Sequence, residues 1–330
     1  MSESGTTLVT GGAGYIGSHT VRALTEQGRD VVVLDSLELG RADAVIGAEL
    51  VVGDITDSAL VTSICRERHV EQVVHFAAYK SVGESMENPS RYWRNNVAGT
   101  IELLDACVSA GVRNVVFSSS CSVYGTPEVV PVTEDAAIRP ESVYAETKAM
   151  IEKVLRWYDT THGLKSVSLR YFNAAGASCD GRIGEDWAYS LNLIPLAMKA
   201  VLLDDRRLQV FGADYDTPDG TCIRDYIHVD DLADAHVKSL DHLATGGDTV
   251  AVNLGTGTGS SVLEVIEATA RIADADVPYD VVGRRAGDPV STFANPAFAE
   301  KTLGWRAEYG LDEIVQTAYD WHRNQLRNEA

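Results

Sequence analysis

The sequence predicts an α/β fold: a doubly wound parallel sheet, extended by a smaller C-terminal α/β substrate lobe. Three observations support this fold class. Short apolar runs recur along the first 173 residues, amphipathic stretches of helical length separate them, and a glycine-rich turn follows the first run. Runs this short and this uniformly apolar are typical of strands buried on both faces of a parallel sheet, with helices crossing between them.

The individual elements follow in chain order. The predicted strands are Thr7–Thr10, Val31–Leu34, Leu50–Val52, Val73–Phe76, Val115–Ser118 and Val167–Arg170. The helices expected between them lie near 15–27, 57–69, 90–110 and 145–161. This regular alternation of strand and helix indicates successive βαβ units.

The pattern changes after residue 173, where a stretch rich in Gly, Asp and Pro contains one helical segment. Asp225–Val229 and Val250–Leu254 are predicted to return to the sheet, and a last helix is expected near Leu311–Arg327. We therefore expect a sheet domain over 1–173 with return segments near 222–255. A lobe over 174–330 would be interleaved with it in sequence.

Composition excludes several classes of function. The 330 residues carry 28 Lys and Arg against 48 Asp and Glu, a net charge of −20 that repels polyanions, so no nucleic-acid or membrane partner is expected. The five cysteines form no Cys-x-x-Cys pair, which favours a reducing, cytoplasmic location. No bound metal is expected, and no run approaches the roughly 18 apolar residues of a membrane span.

The glycine-rich turn lies between the first predicted strand and the first predicted helix. Gly11, Gly14 and Gly17 are spaced so that a tight turn can bring the N–H groups of a helix N-terminus against a pyrophosphate. Asp35 ends the second strand, where a carboxylate accepts hydrogen bonds from ribose hydroxyls and repels a 2′-phosphate. Together these residues predict a Rossmann-type site that prefers NAD to NADP.

Two further strand ends are expected to border this cofactor. Asp54 follows the third strand, where its carboxylate can face the adenine, although an Asp here is equally typical of a helix N-cap. Phe76, Ala77 and Ala78 end the fourth strand with mostly small residues, which allow the backbone to approach a ligand closely.

Tyr144 and Lys148 stand four residues apart on a predicted helix, so they share one helical face. An ammonium beside a phenol favours the ionised phenol and makes it a usable general base. Ser120 follows the fifth strand and therefore lies at the same edge of the sheet as the glycine turn. These three residues predict acid–base chemistry next to the cofactor.

With these motifs combined, the sequence resembles the extended short-chain dehydrogenase/reductase family over essentially its whole length and, within it, the UDP-hexose 4-epimerases. The segments that carry the resemblance are Val9–His19, His75–Ser85, Asn95–Thr100, Leu169–Asn173, Asp219–Val229 and Asn253–Gly257.

The resemblance implies that Tyr144 takes the proton of the sugar 4-hydroxyl while hydride leaves C4 for a permanently bound NAD. Ser120 would bind the same oxygen, and Lys148 would hold the nicotinamide ribose and lower the pKa of Tyr144. The 4-keto sugar would then turn and be reduced on its other face. The cofactor residues implied are Gly11, Gly12, Gly14, Tyr15, Ile16, Gly17, Asp35, Asp54, Ile55, Phe76, Ala77, Ala78, Lys80, Asn95, Ser118, Tyr144, Lys148 and Phe172.

The implied substrate is a UDP-hexose, although UDP-pentoses stay open at this point. Its implied binding residues are Lys80, Ser120, Tyr144, Asn173, Asn192, Leu193, Gln209, Val210, Phe211, Arg224, Arg285, Asp288 and Thr292. Arg224 and Arg285 also suit this role by their chemistry, because a guanidinium can grip a diphosphate with two hydrogen bonds. His75 and His228 are expected to be buried structural side chains.

Two departures from the family pattern carry information. Cys121 and Ser122 stand where related dehydratases and decarboxylases place carboxylates, so neither elimination nor decarboxylation is expected, and Cys121 is interpreted as a packing residue. Thr292 falls where the family has either a bulky Tyr or a smaller residue, which predicts room for a 2-acetamido group.

Two other functions fit the same fold: a net NAD-dependent oxidoreductase that releases NADH, and a redox-sensing regulator without catalysis. The intact Ser120, Tyr144 and Lys148 argue against the regulator, because a sensor has no use for a base. The resemblance also implies a homodimer formed through helices near 92–110 and 145–161.

Overall fold

The computed structural model describes residues 5–187, 190–285 and 287–329. Its strands are β1 (Thr6–Thr10), β2 (Val31–Asp35), β3 (Glu49–Val52), β4 (Val70–His75), β5 (Asn114–Ser118), β6 (Lys165–Tyr171), β7 (Asn173–Ala175), β8 (Leu208–Phe211), β9 (Ile223–Arg224), β10 (Tyr226–His228), β11 (Val250–Leu254), β12 (Ser260–Ser261), β13 (Tyr279–Val282) and β14 (Ser291–Thr292). Its α-helices are α1 (Tyr15–Glu26), α2 (Ser58–Glu67), α3 (Val82–Glu87), α4 (Pro89–Tyr92), α5 (Gly99–Ala110), α6 (Val143–His162), α7 (Leu193–Leu202), α8 (Val229–Ala244), α9 (Val262–Ala273), α10 (Ala297–Leu303) and α11 (Leu311–Glu329).

The main sheet has seven parallel strands in the order β11-β6-β5-β4-β1-β2-β3. Chain order runs outward from β1 in one direction to β3 and from β4 in the other direction to β11. The point where it reverses, between β1 and β4, is where open α/β sheets bind their ligands, beyond the carboxyl ends of the strands. The predicted fold class, a doubly wound parallel sheet with a further C-terminal α/β portion, is confirmed.

Both faces of this sheet are buried, which explains the uniformly apolar runs. Alternate residues of a strand point to opposite faces, and Val9 and Val33 pack on one side while Leu8 and Val32 pack on the other. The first side is covered by α1 and α8, and the second by α2, α5 and α6. Helices on both faces therefore leave only the strand ends open to ligands.

The helix expected over 90–110 is interrupted. α4 ends at Tyr92, a wide π-helical turn follows over Trp93–Ala98, and α5 begins at Gly99. The buried Asn96 in this turn accepts a hydrogen bond from the Tyr79 amide (2.9 Å) and donates to the Tyr79 carbonyl (3.0 Å), so it holds the loop after β4. A π turn of this kind is common at functional sites.

The C-terminal portion is built from short strands and the packed helices α7, α9 and α11. The prediction that Val250–Leu254 returns to the main sheet is confirmed, since β11 pairs with β6. The same prediction for Asp225–Val229 is wrong. β10 pairs instead with β7, and β9 pairs with β12 and β14, because the buried Asp225 between them accepts the Thr256 and Ala294 amides (2.9 and 3.0 Å).

Within the described residues, no helix combines the length and apolar character that crossing a membrane requires. The same residues contain no group of three or more His, Cys, Asp or Glu side chains arranged to hold a metal ion.

Candidate active site

The glycine turn between β1 and α1 is shaped by close backbone approach. Gly11 has φ 73°, and a Cβ at this position would lie 2.6 Å from the Ala77 amide nitrogen. A Cβ at Gly17 would lie 2.3 Å from the Gly11 carbonyl oxygen, so any side chain would force the turn away from the helix. Gly12 packs in the same way against Val33.

The N-terminus of α1 is open toward the strand ends. The N-cap residue Gly14 has no side chain that could cap the helix. The first turn starts with Tyr15 and Ile16 and contains no acidic residue. Exposed N–H groups and the helix dipole together favour an anion at this place. The Tyr15 hydroxyl points away from it and donates to the Gly176 carbonyl (2.7 Å), which ties α1 to the segment after β7.

Asp35 is buried at the end of β2 and organises the turns around it. One of its carboxylate oxygens accepts the Ala13 amide (3.0 Å) and the other accepts the Leu37 amide (2.9 Å). A carboxylate oxygen has two lone pairs, so both oxygens retain the capacity to accept a ribose hydroxyl. The site thus fits the adenosine half of a dinucleotide.

At the end of β3, the structure excludes the N-cap alternative for Asp54, while its role at the adenine stays a prediction. The N-cap of α2 is Asp57, which accepts the Leu60 amide (3.0 Å). Asp54 accepts the Thr56 amide (2.8 Å) and is exposed, while Ile55 is buried beneath it. The carboxylate of Asp54 therefore shapes the loop at this strand end.

The cluster predicted to perform catalysis lies past β5. Ser142 caps α6 by accepting the Ala145 amide (3.2 Å), and this places Tyr144 and Lys148 on successive turns facing the sheet. The buried Lys148 donates from Nζ to the Ser118 carbonyl (2.7 Å), and Nζ lies 5.8 Å from the centroid of the Tyr144 ring. The Ser120 hydroxyl accepts the Ser122 hydroxyl (2.9 Å) and amide (3.2 Å).

Burial sets the protonation of this cluster. It raises the pKa of Tyr144, against the opposing interaction with Ser120, and it lowers the pKa of Lys148 to about 7, against the attraction of Glu152. Burial therefore opposes the lowering of the Tyr144 pKa by Lys148 that the resemblance implies, and that lowering stays a prediction. The Lys148 ammonium gives its hydrogen bond to a backbone carbonyl.

A buried network beneath this cluster was not predicted. Glu152, one turn beyond Lys148, accepts the Ser119 hydroxyl (2.6 Å) and binds Arg170 through two hydrogen bonds of 2.9 and 2.6 Å. Arg170 also donates to the Tyr124 hydroxyl (2.7 Å). The signals available in the sequence were an arginine inside an apolar strand and a Glu four residues after Lys148, since buried charges require partners.

Tyr171 was also missed, and it completes the same strand end. Its hydroxyl shares a short hydrogen bond with the Ser118 hydroxyl, and burial raises its pKa to about 12. Phe76, from the end of β4, packs against His236 in a tilted arrangement with ring centroids 4.6 Å apart. Phe172, after Tyr171, is buried.

Some of the polar residues predicted around the cofactor and the sugar are joined by contacts in the structure, directly or through a shared partner. The Asn95 amide donates to the Asn96 side-chain oxygen (3.0 Å) in the π turn. Lys80 is exposed and lies 3.9 Å from the buried Glu185, whose Oε1 also accepts from the Asn192 amide (3.4 Å). These contacts connect the loop after β4 to the N-terminus of α7, where Leu193 packs.

The residues predicted for the nucleotide form two groups. Arg224 lies 3.6 Å from the Asp288 carboxylate and pairs in register with Thr292 across β9 and β14. The exposed Arg285 lies with its guanidinium carbon 4.2 Å from the centroid of the Phe211 ring. The guanidinium of Arg285 is thus exposed beside an aromatic ring, whereas that of Arg224 is only partly exposed beside a carboxylate.

The remaining predicted residues differ in orientation. Gln209 is exposed on β8, whereas Val210 points into the core between α7 and α9 and offers a ligand only its backbone. The Asn173 side-chain amide donates to the Asp225 carbonyl (3.0 Å), beside β9. Cys121 packs against the main core, and burial raises the pKa of its thiol to about 12, as a packing residue requires.

The two motif histidines that were expected to be structural, His75 and His228, are buried. His75 bonds Thr10 and Thr100 through its two ring nitrogens (2.7 and 2.8 Å), and burial lowers its pKa to about 3. His228 accepts the Asp230 amide (3.1 Å) and caps α8, and burial lowers its pKa as well. Neither is free to act as an acid.

Known proteins share the whole of this architecture. The sequence profile of the NAD dependent epimerase/dehydratase family matches residues 7–255. UDP-glucose 4-epimerase of Lactobacillus helveticus is 46% identical over 319 residues, which cover 96% of this chain and 97% of that protein.

Two solved structures extend the likeness to the fold. UDP-glucose 4-epimerase from Brucella ovis in complex with NAD is 47% identical, has a TM-score of 0.93, and the match covers 96% of this chain and 98% of that one. The enzyme from Bifidobacterium longum in complex with NAD+ and UDP is 39% identical, with a TM-score of 0.91 over 97% of this chain and 99% of that one. The expected dependence on NAD is confirmed, and the chain belongs to the NAD-dependent epimerase/dehydratase family.

Proposed function

We propose that the chain interconverts UDP-galactose and UDP-glucose by epimerisation at C4. The observation that carries the proposal is the cluster of Tyr144, Lys148 and Ser120 at the end of β5, on the same sheet edge as the glycine turn. Bound NAD supplies a hydride acceptor and donor for C4 of the sugar. The chain's own residues then handle the proton and the geometry.

Tyr144 takes the proton of the sugar 4-hydroxyl and returns it after the sugar has turned. Ser120 binds the same oxygen, and Lys148 binds the nicotinamide ribose while its charge favours the tyrosinate. The absence of a carboxylate at Cys121 and Ser122 argues against elimination or decarboxylation at this site. Asn95, Lys80 and Phe172 complete the cofactor site.

The UDP moiety is held in the C-terminal portion. Arg224 and Arg285 bind the diphosphate, a role that suits guanidinium groups in a chain with a net charge of −20. Gln209 and Phe211 lie beside the uridine, with Val210 contributing backbone groups. Asn173, Asn192 and Asp288 bind the remaining hydroxyls and orient the arginines.

The experiment that tests this function is incubation with UDP-galactose followed by chromatographic detection of UDP-glucose. The expected result is conversion by the wild type and a loss of about 10²–10⁴-fold in rate for Tyr144→Phe, which is the usual contribution of a positioned acid–base group. A Tyr144→Phe variant at the wild-type rate would overturn the assignment of the base. Steadily rising NADH absorbance with excess NAD would instead show a net oxidoreductase.

The small side chain of Thr292 supports acceptance of UDP-N-acetylglucosamine and UDP-N-acetylgalactosamine as well. Thr292 lies beside Arg224 in the strand pair β9–β14, so its side chain borders the proposed diphosphate and sugar site. A threonine leaves more space there than a tyrosine, and a single steric clash decides between such substrates.

An exposed aromatic side chain supports a proposal for the assembly of the chain, and its cysteines support one for the cellular location. A homodimer formed by α5 and α6 is supported by Trp157, whose side chain is 67% exposed on α6.

A reducing, cytoplasmic compartment is supported by the five free cysteines. A division into a cofactor domain (1–173 with 222–255) and a substrate lobe, with the active site between them, accounts for the two groups of binding residues.

A further inference from the structure

Three side chains join the loop after β2 to the segment after β4. The Tyr79 hydroxyl donates to Glu38 Oε2 (2.6 Å), and Arg91 Nη2 donates to Glu38 Oε1 (2.5 Å). The guanidinium of Arg91 also lies over the Tyr79 ring, 3.9 Å from its centroid. Each of the three side chains therefore contacts the other two.

The position of this triad follows from the strand order. β1 lies between β2 and β4 in the sheet, so the glycine turn that follows β1 lies between the loops that carry Glu38 and Tyr79. A hydrogen bond between those loops spans the mouth of the crevice at the turn. A dinucleotide bound at the strand ends between Asp35 and Lys148 would lie next to this connection.

Both ends of the triad are anchored in rigid parts of the site. On one side, Glu38 follows Leu37, whose amide is held by Asp35. On the other side, Arg91 forms a second, short ion pair with Glu84, which in turn accepts the hydroxyl of the buried Tyr92 (3.0 Å).

The triad also borders space that the cofactor site shares. Tyr79 and Arg91 line an open cleft of about 350 Å³ together with Thr56, which follows Ile55, and Asn95 of the π turn. Ile55 and Asn95 were both assigned to the cofactor site from the sequence. Two side chains of the triad thus line a cleft together with, or next to, residues that the resemblance assigns to the cofactor site.

We propose that Glu38, Tyr79 and Arg91 form a latch across the cofactor crevice that slows the release of NAD. The proposal rests on the crevice being the cofactor site of the proposed function. The latch touches no reacting atom. These are positioning residues whose effect falls on cofactor dissociation, because the loops must separate before a bound dinucleotide can leave.

The test measures the rate at which bound, radiolabelled NAD exchanges with an excess of unlabelled NAD in the purified full-length chain. Glu38→Ala removes the contacts of Glu38 with Tyr79 and Arg91 in the segment after β4, and Tyr79→Phe removes only the hydroxyl group. We expect release to accelerate about tenfold in Glu38→Ala and less in Tyr79→Phe, within the range of small ion-pair networks. The double variant should match Glu38→Ala alone, because the hydroxyl has then already lost its acceptor.

The matched control is Asp43→Asn, which removes the carboxylate that pairs with Arg41 inside the same loop after β2. Its release rate should equal that of the wild type. Raising the salt concentration should accelerate release from the wild type more than from Glu38→Ala, since salt screens exposed ion pairs.

Three outcomes would overturn the latch: equal release rates for wild type and Glu38→Ala, additive effects in the double variant, or the same acceleration in Asp43→Asn. A wild-type chain that binds no NAD would overturn the proposed function together with the latch. A chain that binds NAD tightly and releases it equally fast from all variants would overturn the latch alone.

Discussion

Lys148 shows how one side chain is tuned by its surroundings. It is buried, its ammonium donates to the neutral Ser118 carbonyl, and burial lowers its pKa to about 7. The nearest carboxylate on the same helix, Glu152, opposes that shift but is itself neutralised by Arg170. Near neutral pH the charge of this lysine is therefore sensitive to anything that binds beside it.

Thr292 is the residue at which substrate choice is most directly testable. In Thr292→Tyr, we expect turnover of UDP-N-acetylglucosamine to fall at least about a hundredfold while turnover of UDP-galactose changes only a few-fold, because the added ring occupies the space of the acetamido group. The measurement is kcat/KM for both substrates in both proteins. If the wild type turned over UDP-N-acetylglucosamine more than about a thousandfold more slowly than UDP-galactose, the proposed tolerance would be wrong.

At the scale of an element, the N-terminal turn of α8 contains another side chain whose pKa is shifted by burial. Asp231 in this turn is buried and accepts the amides of Glu308 and Tyr309 (3.1 and 3.2 Å), and its carbonyl accepts the Trp305 indole (2.9 Å). Helix α8 therefore holds the segment that leads into α11. Burial raises the pKa of Asp231 to about 6, despite the two amide donors.

This shift predicts a pH dependence of stability. An acid whose pKa is higher in the folded than in the unfolded chain contributes stability that is complete below about pH 4 and is lost as the pH rises through about 6. The free energy of unfolding of the wild type relative to Asp231→Asn should thus fall by up to about 3 kcal/mol between pH 4 and pH 7. Urea denaturation at both pH values measures it.

The exposed Asp241, on the same helix, supplies the control for this experiment. Asp241→Asn removes an exposed carboxylate of the same helix and so controls for the loss of one negative charge at the surface. A difference between wild type and Asp231→Asn that stays the same at both pH values would show that the Asp231 carboxyl group titrates in the folded chain as it does in the unfolded one.

At the scale of the whole molecule, the charge of −20 makes the few exposed cations informative. Most arginines are paired with carboxylates, as Arg207 is with Asp280, whereas Arg285 lies over an aromatic ring. A chain with this much negative charge needs an apolar contact surface to associate with its own copy, because its overall field repels it. Trp157 is a large apolar side chain exposed on α6, and we propose that it contributes to such a surface.

The proposed dimer predicts a clear change in mass. In Trp157→Glu, we expect the chain to sediment as a monomer, because a carboxylate in place of the indole removes apolar area from the contact and adds like charge to it. Val129→Glu, which changes an equally exposed apolar residue in a loop, should leave the dimer intact. Analytical ultracentrifugation of the three proteins decides, and a monomeric wild type would contradict the proposal.

Much of the fold could be predicted from sequence because its signals are local. Strand β11 was placed at its observed bounds, and β1, β2 and β5 within a residue, since apolar runs of this length are characteristic of a sheet buried on both faces. The glycine turn and the spacing of Tyr144 and Lys148 are equally local, because they depend on backbone conformation and helical periodicity.

Only the tertiary structure decided the rest, because it depends on groups that are distant in the chain. Asp225 diverts β9 and β10 from the main sheet through amides about thirty and seventy residues further on. Burial raises the pKa of Tyr144, and the buried pair of Glu152 and Arg170 joins α6 to β6. Sequence alone determined which residues line the strand ends. The hydration and the long-range partners of these side chains exist only once the chain has folded, and they set the charge and the orientation of each side chain.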